Sequence, residues 1–281
     1  MAKKLRFTLF TLALSASLTL ATAAHAGYKG FANPDAVISV QELKDTNNVV
    51  VVDYSGKPKE FIPGAILIDR DKLLLKKNGI KMMQAPKETF EKVLGEYGIT
   101  ANTPLAVYSD EDNKFAARFY IDMKSLGHDN VRIIDGSIVA WKNAGLPTVG
   151  KPATLAPAKY VARYYLTHGD INLVKKATKN PDYCIVDTRT VKEYKSGRIP
   201  GATDVDYKSV LNEDMTFKTA SELKELYKEV SADKELITYC LGGIRAAHSW
   251  FVLYELLGYK HVTMYDGSWW DYEKTNAPIE K

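Results

Sequence analysis

Cys240, Gly242, Gly243 and Arg245 are the residues whose types and spacing suit joint chemistry. The run Cys240-Leu241-Gly242-Gly243-Ile244-Arg245 follows an apolar stretch at 236–239 and precedes a helical pattern at 246–257. A thiol at the end of such a strand sits at the carboxyl edge of a parallel sheet, where α/β folds bind their ligands. Two glycines let the backbone curl around the sulfur with its N–H groups turned inward. The helix behind contributes the positive end of its dipole, and Arg245 adds a full charge. All three favour an anion, and the thiolate is the nucleophilic form of cysteine. The expected chemistry is covalent catalysis by Cys240. Arg245 would be its charged partner, and the main chain of Leu241, Gly242, Gly243 and Ile244 its cradle.

The elements that position this loop occur twice. Residues 105–137 read LAVYSDEDNKFAARFYIDMKSLGHDNVRIIDGS, and residues 236–268 read LITYCLGGIRAAHSWFVLYELLGYKHVTMYDGS. A shift of 131 places Tyr108 on Tyr239, Leu126-Gly127 on Leu257-Gly258 and Asp135-Gly136-Ser137 on Asp266-Gly267-Ser268. This unbroken register implies a duplicated domain. Ser109 stands where the second copy has Cys240, so one active site per chain is expected. Upstream, the β-branched run 49–52 ending at Asp53 matches Ile185-Val186-Asp187, and each is followed by an Ile-Pro-Gly-Ala turn, 62–65 and 199–202. Helical spacing at 86–97 and 221–230, with Ser221 as a helix entry, comes next. Strand patterns (105–108, 236–239), helices (115–126, 246–257) and short strands (131–134, 262–265) complete each copy. The alternation predicts an α/β protein of two domains, each a parallel β-sheet with helices on both faces. The first domain is expected at 27–147 and the second at 160–281. The stretch 148–159, with Pro152 and Pro157 and no apolar period, is the linker.

Residues 1–26 read as a cleavable signal peptide: Lys3, Lys4 and Arg6, an apolar run, then Ala24-His25-Ala26. That predicts export to the periplasm. Three of the 38 basic residues lie in this leader, which leaves 35 against 34 acidic. So even a balance argues against nucleic acid or a membrane surface as partner. Apolar residues make up 46% of the chain, enough for two cores. The two cysteines of an exported chain suggest a disulfide by default. Cys184 lies inside an apolar strand and Cys240 at a strand end, so both are expected free. The Asp110-Glu111-Asp112 loop reads as a solvated turn rather than a cation site, and His128, His168 and His261 lack metal spacing. His248 is a candidate proton donor, although a lone helix histidine is more often structural. Trp269 and Trp270 read as core.

The second copy resembles a rhodanese, the thiosulfate sulfurtransferase family. Asp187-Thr188-Arg189, Glu193-Tyr194, Gly197 and Ile199-Pro200-Gly201-Ala202 resemble one family signature; Tyr265-Asp266-Gly267-Ser268-Trp269 resembles another. The loop from Cys240 to Arg245 resembles the family's active-site loop. The first copy keeps Ile62-Pro63-Gly64-Ala65 and Asp135-Gly136-Ser137 but has Asp53-Tyr54-Ser55 in place of D-x-R, and resembles the inactive N-terminal domain of tandem rhodaneses. The resemblance implies a Cys240 persulfide that takes sulfur from thiosulfate or a similar donor and passes it to cyanide or a thiol, with no metal or cofactor. It implies that Arg245 and Arg189 orient the donor's sulfonate. Arg189 has a second reading, preferred here: a brace for the loop through Asp187 and Glu193. The loop lacks the basic residues of typical thiosulfate enzymes, so the donor stays open. The rivals are a non-turnover sulfur carrier or sensor, a cysteine phosphatase (whose loop is longer, C-x5-R) and a thiol–disulfide oxidoreductase, for which only Cys184 could resolve.

Overall fold

The computed structural model describes residues 27–110 and 112–281. The expected leader and Glu111 of the acidic loop lie outside the described residues. In the first domain the strands are β1 (Val37–Ile38), β2 (Val50–Asp53), β3 (Ile66–Leu67), β4 (Leu74–Lys77), β5 (Ile80–Gln84), β6 (Leu105–Tyr108) and β7 (Val131–Ile134). Five form a parallel sheet in the order β1-β7-β6-β2-β3, and β4 with β5 makes a separate antiparallel hairpin. In the second, β8 (Tyr183–Asp187), β9 (Thr203–Asp204), β10 (Glu235–Tyr239) and β11 (Val262–Met264) are parallel in the order β11-β10-β8-β9. This repeats the β7-β6-β2-β3 order of the first. An isolated bridge, Gly169 to Tyr265, stands in the place of β1.

Helices cover both faces of each sheet. They are α1 (Val40–Asp45), α2 (Lys87–Glu96), α3 (Lys114–Ser125) and α4 (Ser137–Asn143), then α5 (Ile171–Ala177), α6 (Val191–Ser196), α7 (Ala220–Leu226), α8 (Ile244–Phe251) and α9 (Ser268–Tyr272). Adjacent strand residues alternate faces. Val52 therefore packs with α2 and α3, and Val51 with α1 and Trp141 of α4. Val186 joins α7 and α8, and Ile185 joins α5 and α9. Burial on both faces explains the continuous β-branched runs. The entry of α7 differs from expectation. Thr219, not Ser221, is its cap, in a reciprocal box with Glu222.

The sequence register of the repeat hides two compensating shifts. Asn113 and Gly243 precede α3 and α8 with φ of 56° and 84°. These caps are 130 positions apart, so the second loop is one residue shorter. A π turn at Val252–Leu256 follows α8 and takes up the extra residue. Gly127 and Gly258, where the two helices end, are again 131 apart.

The domains pack α3 against α8. The Tyr120 and Phe251 rings meet edge-on at 4.9 Å, and the Tyr120 hydroxyl donates to Glu255 at 2.8 Å. One apolar cluster runs through both domains. The linker lies along the first domain, where Ala153 N–H bonds Ala65 and Ala158 N–H bonds Gly95. No helix among the described residues is long and apolar enough to cross a membrane.

Candidate active site

Cys240 directly follows β10, in the middle of the second sheet, and is 2% exposed. Residues 240–243 turn the chain into α8. Gly243 needs its left-handed φ, and a Cβ there would lie 2.8 Å from Arg118 Nη1 and from the Asp266 carbonyl. A Cβ on Gly242 would meet the Trp270 ring at 2.4 Å. Both glycines are thus set by close neighbours as well as by the loop's own curl. Ser268, the last residue of the repeated Asp-Gly-Ser, holds the loop shut. Its hydroxyl accepts the N–H groups of Cys240 and Gly243, each at 3.1 Å, and donates to the Tyr265 carbonyl at 2.8 Å. The amide cradle is therefore smaller than expected, because Gly243 N–H faces Ser268. The N–H groups of Leu241, Gly242, Ile244 and Arg245 meet no protein acceptor among the described residues.

Glu193 departs from expectation in which arginine it holds. Glu193 binds Arg245 with both oxygens, at 2.7 and 2.9 Å, and does not bind Arg189. Burial works against the Arg245 charge, but the bond to Glu193 and the nearby Cys240 sulfur hold its guanidinium above the ordinary range. In turn, Arg245 and Thr190 pull the Glu193 carboxyl down to about 2. Arg189 is 2% exposed. It bonds Asp187 through Nε (2.9 and 3.1 Å) and Nη2 (2.6 Å), and the Gly197 carbonyl at 2.7 Å. Trp269 covers its guanidinium at 4.5 Å. These contacts fit the brace and not contact with an anionic donor. Asp187 is its partner, as expected, and Glu193 is not.

A model of the rhodanese-like domain matches residues 37–144 and again 170–275. The chain belongs to the rhodanese family. A "Putative thiosulfate sulfurtransferase" of Haloferax volcanii is 33% identical over 254 residues, covering 83% of this chain and 87% of that one. "Sulfur carrier protein TtuD" of Thermus thermophilus is 30% identical over 285 residues, covering 90% and 99%. The crystal structure of YnjE superposes with a TM-score of 0.78 at 22% identity, over 89% of this chain and 69% of that one, and shares the fold.

Within this tandem rhodanese, the first domain reaches the second domain's loop. Tyr207, whose ring lies 5.9 Å from the Arg245 guanidinium, donates its hydroxyl to Asp112 at 2.9 Å. Arg118 of α3, behind Gly243, faces Asp266 Oδ1 at 2.8 Å as an ion pair rather than an aligned hydrogen bond, and bonds Asp122 at 3.0 Å. Sequence reasoning missed Ser268, Arg118, Asp112 and Tyr207. Only Ser268 carried a signal, as part of the repeated motif.

His248 takes the preferred structural reading rather than that of a proton donor. It is wholly buried between Phe217 and Tyr207, and neither ring nitrogen has a partner. Burial pushes it down to about 4, so the imidazole is neutral at neutral pH. Cys184 pairs with Leu236 in the β8–β10 register, four residues short of Cys240. At strand rise that is about 13 Å, well beyond disulfide reach. Both thiols are free. Of the acidic loop, Asp110 contacts Arg70 and Asp112 bonds Lys114. Among the described residues no group of metal-ligating side chains gathers.

Proposed function

We propose that the chain is a sulfurtransferase acting through a persulfide on Cys240. The observation that carries this is the loop itself. It places one thiol beside unpaired main-chain N–H groups, at the N-terminus of α8 and within reach of Arg245. These groups favour an anionic sulfur. The Cys240 thiolate attacks the outer sulfur of thiosulfate or a similar donor. A new S–S bond forms, the donor's S–S bond breaks, and sulfite leaves with the electron pair. A nucleophile such as cyanide or a thiol then takes the outer sulfur, and the Cys240 thiolate is the leaving group. Catalysis is assigned to Cys240 and Arg245. Leu241, Gly242, Gly243 and Ile244 form the loop, and Asp187, Arg189 and Glu193 support it.

The test is intact mass after thiosulfate treatment. One added sulfur per chain is expected, absent in Cys240→Ser; an unchanged wild-type mass across several sulfur donors overturns the reading. The carrier reading has one observation in its favour, the full-length likeness to a protein named a sulfur carrier. Repeated thiocyanate formation from thiosulfate and cyanide supports the enzyme, and arrest after one equivalent supports the carrier. The leader pattern at 1–26 supports export to the periplasm. N-terminal sequencing of the secreted protein, expected to begin at Gly27, tests it.

A further inference from the structure

Asp187 ends β8 beside Tyr239 of β10 and holds the Arg189 guanidinium through both oxygens. The first domain keeps the same carboxylate without the cation. Asp53 ends β2 beside Tyr108 of β6. Ser55 N–H donates to Asp53 Oδ1 at 2.8 Å, as Arg189 N–H donates to Asp187 Oδ1 at 3.0 Å. The Tyr108 hydroxyl accepts from Ile62 N–H at 3.2 Å, as the Tyr239 hydroxyl does from Ile199 N–H at the same distance. The two sites differ in the residues that follow the carboxylate, Tyr54 and Ser55 against Thr188 and Arg189, and in the Tyr239 hydroxyl, which donates to Asp187 Oδ2. Residue 55 is serine, and its hydroxyl accepts the Asp110 N–H at 2.7 Å. Asp53 Oδ2 is buried without an aligned hydrogen bond, with the Tyr108 hydroxyl close to the carboxyl. Such a buried carboxylate oxygen is costly, and burial pushes this carboxyl up.

Asp53 borders a cavity of about 710 Å³. Three of the neighbouring cations have other partners. Lys114 bonds Asp112 and Lys142 bonds Glu60, each at 2.9 Å, and Arg70 pairs with Asp110 and stacks on Phe115 at 3.7 Å. Lys59 and Lys208 also line the cavity and supply positive charge for an anionic part of a ligand. We propose that this first-domain cleft binds a small guanidino compound with an anionic tail, its planar cation seated on Asp53 as Arg189 is seated on Asp187. A guanidinium matches a carboxylate geometrically where a lysine-type ammonium does not. This site is independent of sulfur transfer at Cys240.

The test is calorimetric titration of the full chain with L-arginine and methylguanidine. L-citrulline serves as the uncharged isostere and L-lysine as the non-planar cation. Saturable binding of both guanidino compounds is expected, with lysine about tenfold or more weaker and citrulline silent. Asp53→Asn should abolish binding while Cys240 still loads with sulfur by intact mass, which shows that the variant is folded. Ser55→Arg should supply the cation internally, so that Tm rises and arginine no longer binds. Cys240→Ser should bind arginine as the wild type does, which separates this site from the sulfur chemistry. Unchanged binding in Asp53→Asn, equal affinity for lysine and arginine, or no binding at millimolar concentrations overturns the proposal. If Asp53→Asn does not fold, the Ser55→Arg arm decides, and arginine binding that persists in it is fatal to the idea.

Discussion

Ser268 accepts the N–H groups at both ends of the 240–243 turn, and so converts a flexible glycine loop into a fixed one. Glu193 does the equivalent for charge by clamping Arg245 with both oxygens while closing the capping box of α6 with Thr190. Glu193→Gln keeps a residue able to close that box, so α6 should persist. What it removes is the charge-assisted clamp. We expect kcat/KM for sulfur transfer to fall by roughly ten- to a hundredfold with Tm nearly unchanged; steady-state thiocyanate assays and a melting curve check it. At this scale the sequence brought Asp187, Arg189, Glu193 and Arg245 together but did not show which pairs with which. Glu193 was expected beside Arg189, four positions away. Asp187 takes Arg189 instead because the two leave the same strand end, and α6 turns Glu193 toward α8.

The elements repeat with a twist in register. The shorter second loop brings the cap of α8 one residue closer to β10 than the cap of α3 is to β6, and the π turn restores the count. Position five of the helix is thereby Arg118 in α3 and His248 in α8. Gly243 carries the tight cap. Gly243→Ala would combine a left-handed φ of 84° with contacts of 2.8 Å to Arg118 and to the Asp266 carbonyl. A loss of about 1–3 kcal/mol is expected, read as a lower midpoint in denaturant unfolding with m unchanged. The strands β2, β6, β7, β8, β10 and β11 and the helices α2, α3, α7 and α8 were legible because their apolar periods are strong. The two-residue strands β1, β3 and β9, the β4–β5 hairpin and the short α1, α4, α5, α6 and α9 were not read. Each is too short or too polar to show a period, and tertiary contacts hold them.

Across the whole molecule, the domain interface buries a histidine without a partner. His248 falls from its ordinary 6.5 to about 4 because burial disfavours its charge. Below pH 6.5 the unfolded chain takes up a proton that the folded chain refuses. Stability present above 6.5 is therefore lost as pH falls toward 4, by roughly 3 kcal/mol in all. His248→Phe, packed against Phe217, should flatten this dependence. Denaturant unfolding at pH 7 and near pH 4 checks it, and an equal acid loss in both proteins would rule out His248 as the source.

The sequence by itself determined the duplication, the α/β architecture and the one thiol at a strand end. All three follow from local patterns: repeated motifs, apolar periodicity and glycine placement. Tertiary structure alone decided that Ser268 staples the loop, that Arg245 answers to Glu193, that Asp112 and Arg118 cross from the first domain, and that Asp53 was left without its cation. Those outcomes depend on which faces of distant segments meet in three dimensions, and no spacing along the chain encodes that.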